Sequence, residues 1–391
     1  YSMSNFYCAA PWRGLHINIR GDVKTCCAGN PNMLGNLNEY TIEEILTSAK
    51  MQEIRSTIKS GQPHDYCSNC VKAERYGRSE RNWHNDVNKD FDITQADVLE
   101  HRPTLIDVRW NTTCNLSCNY CGDKCSSKWA DLKGIPVKSG TRPYYEQVCD
   151  YLEQHRDSIR EVALVGGEPL LYDEHWTFMR RIVELGYADQ VRVRYNSNLS
   201  YIRDGDTNLY ELLQHFPHWE ICASLDGTGE IGEYIRTGLD YNSFISNFKQ
   251  GIQYSRHPRQ MRIDFTLTLP GLFELVRIVH LANAHSCQLL SKCVFAFSPN
   301  ILLSPLSLPR TVLEPLLADI EKQIKPLLDL CELINNTVDF EMTGDIIIKL
   351  NDLKDKITTI LQKNKLQKEK ELGSFEEEKK IMDLLKSLNL L

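Results

Sequence analysis

Cys114-Asn115-Leu116-Ser117-Cys118-Asn119-Tyr120-Cys121 is the stretch on which the reading of this chain turns. Three cysteines at CxxxCxxC spacing can hold three irons of a four-iron, four-sulfur cluster and leave the fourth iron without a protein ligand. An iron with an open position is a place for chemistry. The loop follows an expected strand, Leu105–Trp110, and another expected strand, Glu161–Val165, runs into Gly166-Gly167-Glu168-Pro169. The two glycines allow backbone to approach a ligand closely, Glu168 offers an acceptor, and Pro169 stiffens the turn. Taken alone, scattered cysteines also make zinc sites, and the glycine pair is also an ordinary strand-to-helix turn.

Outward from these motifs, residues 101–300 alternate strands and helices. Further strands are expected at Val191–Tyr195, Glu220–Leu225, Arg262–Thr268 and Val294–Phe297, with helical patterns near 143–157, 173–186, 208–215, 242–254 and 271–285. Strands separated by helices imply parallel pairing. A doubly wound sheet would fit the count. Polar motifs at several strand ends favour a barrel, whose sites draw on many strand C-termini. Residues 1–100 are polar and cysteine-bearing. Leu15 to Lys24 reads as a hairpin turning at Gly21-Asp22, and Thr41 to Ile58 as a helix with a Thr41/Glu44 capping box. Residues 301–391 read as helical, from Leu308-Pro309 through Leu333, with a Lys/Glu/Leu-rich stretch after Asn351 and a last helix over Glu376–Leu390. They read as a solvated cap or small bundle rather than a partner-binding arm.

The two motifs together resemble the radical S-adenosylmethionine (radical SAM) enzymes, over residues 5 to 310. The resemblance implies an α/β fold: a partial (β/α)6 TIM-like barrel at 101–300, a small N-terminal Cys-rich domain at 1–100 and a helical C-terminal extension at 301–391. It implies that Cys114, Cys118 and Cys121 ligate the catalytic 4Fe–4S cluster and that SAM chelates its open iron. Reductive cleavage of SAM would then give a 5′-deoxyadenosyl radical that abstracts hydrogen from a substrate. Tyr120 matches the aromatic that packs near the adenine, with simple loop packing as the alternative. Glu168 would accept from the SAM ammonium, beside Gly166 and Gly167. Asn198 lies at a TNGT-like strand end where Leu199 replaces the glycine. Ser224 and Asp226 match an S-x-D-G segment, and Arg236, in Tyr234-Ile235-Arg236, would meet the SAM carboxylate. Alternation places Cys222, Ser224 and Asp226 on one strand face. Cys222 is a candidate hydrogen-atom donor, with a buried core thiol as the alternative. Cys125 is read as a bystander to the triad.

Cys8, Cys26, Cys67 and Cys70 form a second set. Their pattern, with Gly21 between the first two, resembles the SPASM/twitch auxiliary domain and implies a fully ligated second 4Fe–4S cluster. Cys27 is the alternative to Cys26, and a structural zinc knuckle the alternative to the cluster. The domain precedes the barrel here, whereas in most relatives it follows.

The expected substrate is a peptide or ribosomal natural-product precursor, with a small metabolite such as a sugar or amino acid as the alternative. The expected electron donor is a flavodoxin or ferredoxin. A non-enzymatic zinc-binding interaction protein is the reading from another class. The net charge of −7, without a basic run, argues against nucleic acid. Apolar runs are too short to span a bilayer and no leader is visible, so no membrane partner and a cytoplasmic location are expected. Fourteen cysteines in a chain with long helical and strand patterns suit thiolate ligation in a reducing compartment better than a disulfide scaffold.

Overall fold

Alternation along Leu15-His16-Ile17 and a glycine at the turn make the first hairpin. It forms in the structure, a computed structural model that describes residues 6–30, 34–75, 80–137, 143–257, 259–293, 303–309, 311–320 and 322–323. Helix α1 (Ala10–Arg13) leads into β1 (Gly14–Ile17), which pairs antiparallel with β2 (Asp22–Lys24). Gly21 turns the chain at φ 84°, where a Cβ would also press on the Tyr144 ring at 2.9 Å. The short β3 (Gly35–Asn36) pairs with β2.

Thr41 and Glu44 form the expected capping box at the start of α2 (Ile42–Thr47). The single helix expected over Thr41–Ile58 is broken, however. Ser48 ends α2 at ψ 154° and caps α3 (Ala49–Lys59). Its hydroxyl donates to the Ile45 carbonyl at 2.7 Å and accepts from the Met51 N–H at 3.3 Å. A serine side chain that competes for backbone groups favours a cap over a helix interior. Beyond it, the buried Arg55 donates to the carbonyls of Pro11, Leu46 and Val98 at 3.0, 2.9 and 2.8 Å. Helices α4 (Ser68–Arg75) and α5 (Glu80–Val87) follow.

Strand β4 (Leu105–Val108) runs parallel to β1 on one side. After α6 (Ser127–Leu132) and α7 (Tyr145–Gln154), β5 (Glu161–Leu164) pairs with its other side, and after α8 (Asp173–Glu184), β6 (Arg192–Ser197) pairs with β5. The order here is β6-β5-β4-β1-β2-β3. Register places Leu15, Ile106, Val162 and Val193 in one row and Ile17, Val108, Leu164 and Tyr195 in the next. All are buried, and the Tyr195 ring meets His175 of α8 edge-on at 5.2 Å. The opposite face carries Lys24, His16, Asp107, Ala163 and Arg194 as successive cross-strand partners. A small hairpin of β7 (Arg203–Asp204) and β8 (Thr207–Asn208) precedes α9 (Leu209–Leu213).

The chain divides into two compact units. The first comprises Tyr1–Asn115, Asp123–Ser197 and Tyr201–Glu220; the second comprises Leu116–Gly122, Asn198–Ser200 and the chain from Ile221 onward. Strand β9 (Trp219–Ser224) begins in the first and continues in the second. There it is followed by α10 (Gly229–Ile235), α11 (Tyr241–Tyr254), β10 (Met261–Leu267), α12 (Leu269–Leu272), α13 (Leu275–Ala284) and β11 (Gln288–Cys293). Strands β9, β10 and β11 are parallel neighbours in that order. The helix expected over 271–285 thus comes in two pieces, the first capped by Thr268 with Pro270 in its opening turn. The last strand is also earlier than expected. Gln288 through Cys293 pair in register with Arg262 through Leu267, whereas Val294–Phe297 lies outside the described residues. The strand–helix alternation is that of the mixed α/β class expected from the sequence. The C-terminal region shows a 3-10 turn at Pro305–Ser307 and helix over 311–320. The helices expected after Asn351 lie outside the described residues. Among the described residues no helix is long and apolar enough to cross a membrane.

Candidate active site and second cysteine centre

The glycines of Gly166-Gly167-Glu168-Pro169 are explained by the chain they lie against. A Cβ on Gly167 would stand 2.2 Å from the Thr113 carbonyl oxygen, and Gly166 has φ 137°. The Gly167 and Glu168 N–H groups donate to the carbonyls of Asn111 and Thr113 at 3.2 and 2.7 Å. This motif therefore fixes the strand exit that leads to Cys114. Ser127, opening α6, donates to the Cys114 carbonyl at 3.2 Å and accepts its N–H at 3.0 Å. Glu168 is buried. Its Oε1 accepts from the Leu170 N–H at 3.2 Å and from the Ser197 hydroxyl at 2.8 Å, capping the 3-10 turn Pro169–Leu171.

In the second unit, the loop bearing Cys118 and Cys121 is held by the C-terminal end of α10 and the residues just beyond it. Ser117 and Asn119 donate their N–H groups to the carbonyls of Thr237 and Ile235, each at 2.9 Å. Asp226 is the hub. Fully buried, it accepts the Thr266 N–H at 2.7 Å on one oxygen. On the other it accepts the Tyr120 hydroxyl at 2.6 Å and forms an ion pair with Arg236 Nε at 2.7 Å. Arg236 Nη1 also donates to the Cys118 sulfur at 3.9 Å. Burial pushes the Tyr120 hydroxyl well above its ordinary pKa. Burial opposes the charge of Arg236, yet the Asp226 carboxylate holds its pKa well above the ordinary value. Burial raises the Cys118 thiol, with Arg236 working against that rise. Arg236 therefore has an internal partner, Asp226, where the resemblance implied the SAM carboxylate.

The remaining expected residues are placed as follows. Cys222 and Ser224 lie on β9, Cys222 fully buried, but Asp226 falls beyond the strand, which ends at Ser224. The common strand face expected for the three thus holds only for the first two. Asn198 accepts the Ser200 N–H at 2.9 Å. Leu199, standing where a glycine was expected, takes φ 50° while fully buried, and its carbonyl accepts from Asn247 at 2.7 Å. A left-handed non-glycine residue costs roughly 1–2 kcal/mol.

The second cysteine set lies within the first unit. Cys8 precedes α1, Cys26 follows β2, Cys67 closes the 3-10 turn Asp65–Cys67 and Cys70 lies on α4. Cys8 and Cys67 belong to one apolar cluster with Trp12, Met51, Ile54 and Tyr66, and Cys26 packs against it. Burial raises all four thiols, Cys26 and Cys67 to about 12, and thiolates at Cys26, Cys67 and Cys70 each raise Cys8 further. Cysteine sulfurs ligate a metal as thiolates, and a bound cation would offset the cost of ionising these four. Among the described residues no group of three or more His, Cys, Asp or Glu side chains is placed to hold a metal ion. A four-iron cluster spaces its ligand sulfurs more widely than one zinc with ~2.3 Å bonds. Cys27 is exposed outside this set.

Two features escaped the sequence reading. Tyr66, buried beside Cys67, accepts the Thr25 N–H on its hydroxyl at 2.8 Å and so ties the CxxC turn to the Cys26 hairpin. On the polar face, His16 Nδ1 meets Asp107 at 2.9 Å and Arg109 pairs with the same carboxylate at 3.3 Å. Burial raises the Asp107 carboxyl, but His16 and Arg109 more than offset this and hold it at about 2. Polar residues at the alternate positions of Leu15-His16-Ile17 and Ile106-Asp107-Val108 were the available signal.

Comparison with known proteins agrees with this chemistry. Residues 8–71 match the SPASM family, an iron–sulfur cluster-binding domain. The 7-carboxy-7-deazaguanine synthase of Clostridium acetobutylicum is 37% identical over 60 residues, 15% of this chain and 23% of that protein. The chain thus spans under a quarter of this curated relative. Among solved structures, Streptococcus suis SuiB bound to precursor peptide SuiA is 14% identical, with a TM-score of 0.41 over 76% of this chain and 72% of that one. A structure of anSMEcpe with bound AdoMet is 17% identical, with a TM-score of 0.42 over 60% of this chain and 61% of that one. At these TM-scores the two structures lend the site no residue roles. Residues 8–71 are thus similar to an iron–sulfur cluster-binding domain.

Proposed function

We propose that the chain is a radical SAM enzyme that abstracts hydrogen from a peptide substrate. In this reading residues 1–100 carry the auxiliary centre, residues 101–300 the radical chemistry, and residues 301–391 are an extension. Cys114, Cys118 and Cys121 would hold the catalytic 4Fe–4S cluster; Cys8, Cys26, Cys67 and Cys70 would hold the second. With SAM bound, the catalytic cluster supplies a 5′-deoxyadenosyl radical on one-electron reduction. The chain's own residues do the rest. Gly166 and Gly167 pack the strand ends, Asp226 anchors Tyr120 and Arg236, and Glu168 stiffens the turn beside Ser197. The observation that carries the reading is the buried Asp226 hub beside the Cys118 loop, an arrangement with no evident structural need for so many polar groups in one place. The polar face carries Lys24 and the ion pairs Arg109–Asp107 and Arg194–Glu161.

Anaerobically reconstituted protein, reduced by flavodoxin or dithionite, should convert SAM to 5′-deoxyadenosine. Alanine at Cys114, Cys118 and Cys121 together should abolish that product, and product that survives the triple substitution refutes the proposal. Colourless protein holding one or two zinc ions would instead support the interaction-protein reading. Cys222 is kept as a proposed hydrogen-atom donor. Unchanged substrate turnover in Cys222→Ala removes it.

A further inference from the structure

Arg236 is costly where it stands. Taking a guanidinium out of water carries a penalty of several kcal/mol that one buried partner repays only with good geometry. Asp226 supplies that partner and is itself pinned by a backbone N–H from β10 and by the Tyr120 hydroxyl. From the same guanidinium, Nη1 donates to the Cys118 sulfur at 3.9 Å. Its carbon lies 5.7 Å from the Tyr120 ring centroid. The backbone bonds from Ser117 and Asn119 to the chain on either side of Arg236 fix the sulfur's loop against the arginine's own segment. The geometry is therefore that of a donor held against one particular sulfur.

We infer that Arg236 is a positioning residue that raises the reduction potential of the catalytic cluster through the Cys118 sulfur, with Asp226 setting how much of its charge the cluster feels. This rests on the reading of Cys118 as a cluster ligand. Cluster potentials respond to hydrogen bonds at the sulfurs and to nearby charge. Reduction adds a negative charge, so a cation and an N–H donor at a ligand sulfur stabilise the reduced form. The carboxylate opposes this from the other side of the guanidinium. Arginine and carboxylate thus act with opposite signs on one property, which a merely structural ion pair would not do.

The test is a redox titration of the reconstituted full chain without SAM, followed by electron paramagnetic resonance. The catalytic cluster is identified separately as the one whose signal changes on adding SAM. Arg236→Met should make its midpoint more negative by at least a tenfold change in the reduction equilibrium, about 59 mV for one electron. Arg236→Lys should recover part of the shift. Asp226→Asn, which keeps an acceptor for Thr266 but frees the arginine's charge, should move the midpoint the other way. The second cluster's midpoint should not move. An unchanged midpoint in Arg236→Met with its iron intact overturns the inference, as does a shift of the same sign in Arg236→Met and Asp226→Asn. Should Arg236→Met fail to hold its cluster, the sign in Asp226→Asn decides alone. A wild-type protein without any SAM-responsive signal takes down the reading of the site itself.

Discussion

The two cysteine sets sit in opposite surroundings. Cys8 and Cys67 are built into an apolar cluster with Trp12, Met51 and Ile54, and the four cysteines of their set come from three points of the chain. Cys118 lies on one short loop beside a tyrosine, an arginine and a buried carboxylate. Cys26 packs against the same apolar cluster, while the Cys70 sulfur meets Glu74 at 4.0 Å beside Arg81. Cys118 thus has a buried ion pair at its sulfur. Burial sets the thiol chemistry in the first case; a fixed neighbouring charge tempers it in the second.

The contrast breaks most visibly at the metal. Cys118→Ala should remove about four irons and all 5′-deoxyadenosine formation, whereas Cys67→Ala should remove about four irons while SAM cleavage persists. Iron assay and product chromatography measure both. Equal loss of SAM cleavage in the two variants would erase the distinction drawn here.

Acid should bear on the first unit through its histidines. Burial lowers His84 to about 4 and His101 and His175 to about 3, with nearby arginines adding to the effect. Their unfolded pKa is ~6.5, so the unfolded chain binds the extra protons, and stability falls as pH drops from there toward the folded values. Each histidine should cost roughly 1–2 kcal/mol by pH 5. Urea melts at pH 7 and pH 5 test the sum, and equal midpoints would show these rings are not buried neutral.

The smallest effect concerns the apolar nest alone. Tyr66→Phe leaves the Thr25 N–H without its acceptor, at about 1–3 kcal/mol. Hydrogen exchange should quicken at Thr25 and Cys26 and leave the Cys118 loop unchanged. Quickening in both places would mean that the two centres are less independent than their surroundings imply.

Much of this was legible before the fold. Both cysteine sets, the hairpin at Gly21 and most strands announce themselves through spacing and alternation, which are local. The break at Ser48 was hidden because apolar spacing continues across it while a single hydroxyl redirects the backbone. His16 and Asp107 are far apart in sequence and meet only through strand register. Asp226 and Arg236 were each singled out, but nothing in the order of residues says that they will pair with each other. Leu199 replaced an expected glycine, yet the left-handed turn survived because the buried side chain and the Asn247 contact hold it.

Strand β1 has two neighbours, β2 from the cysteine hairpin and β4, the strand that leads toward Cys114. Take the hairpin away and β4 presents a bare flank of amide and carbonyl groups, the kind of surface that recruits stray chains.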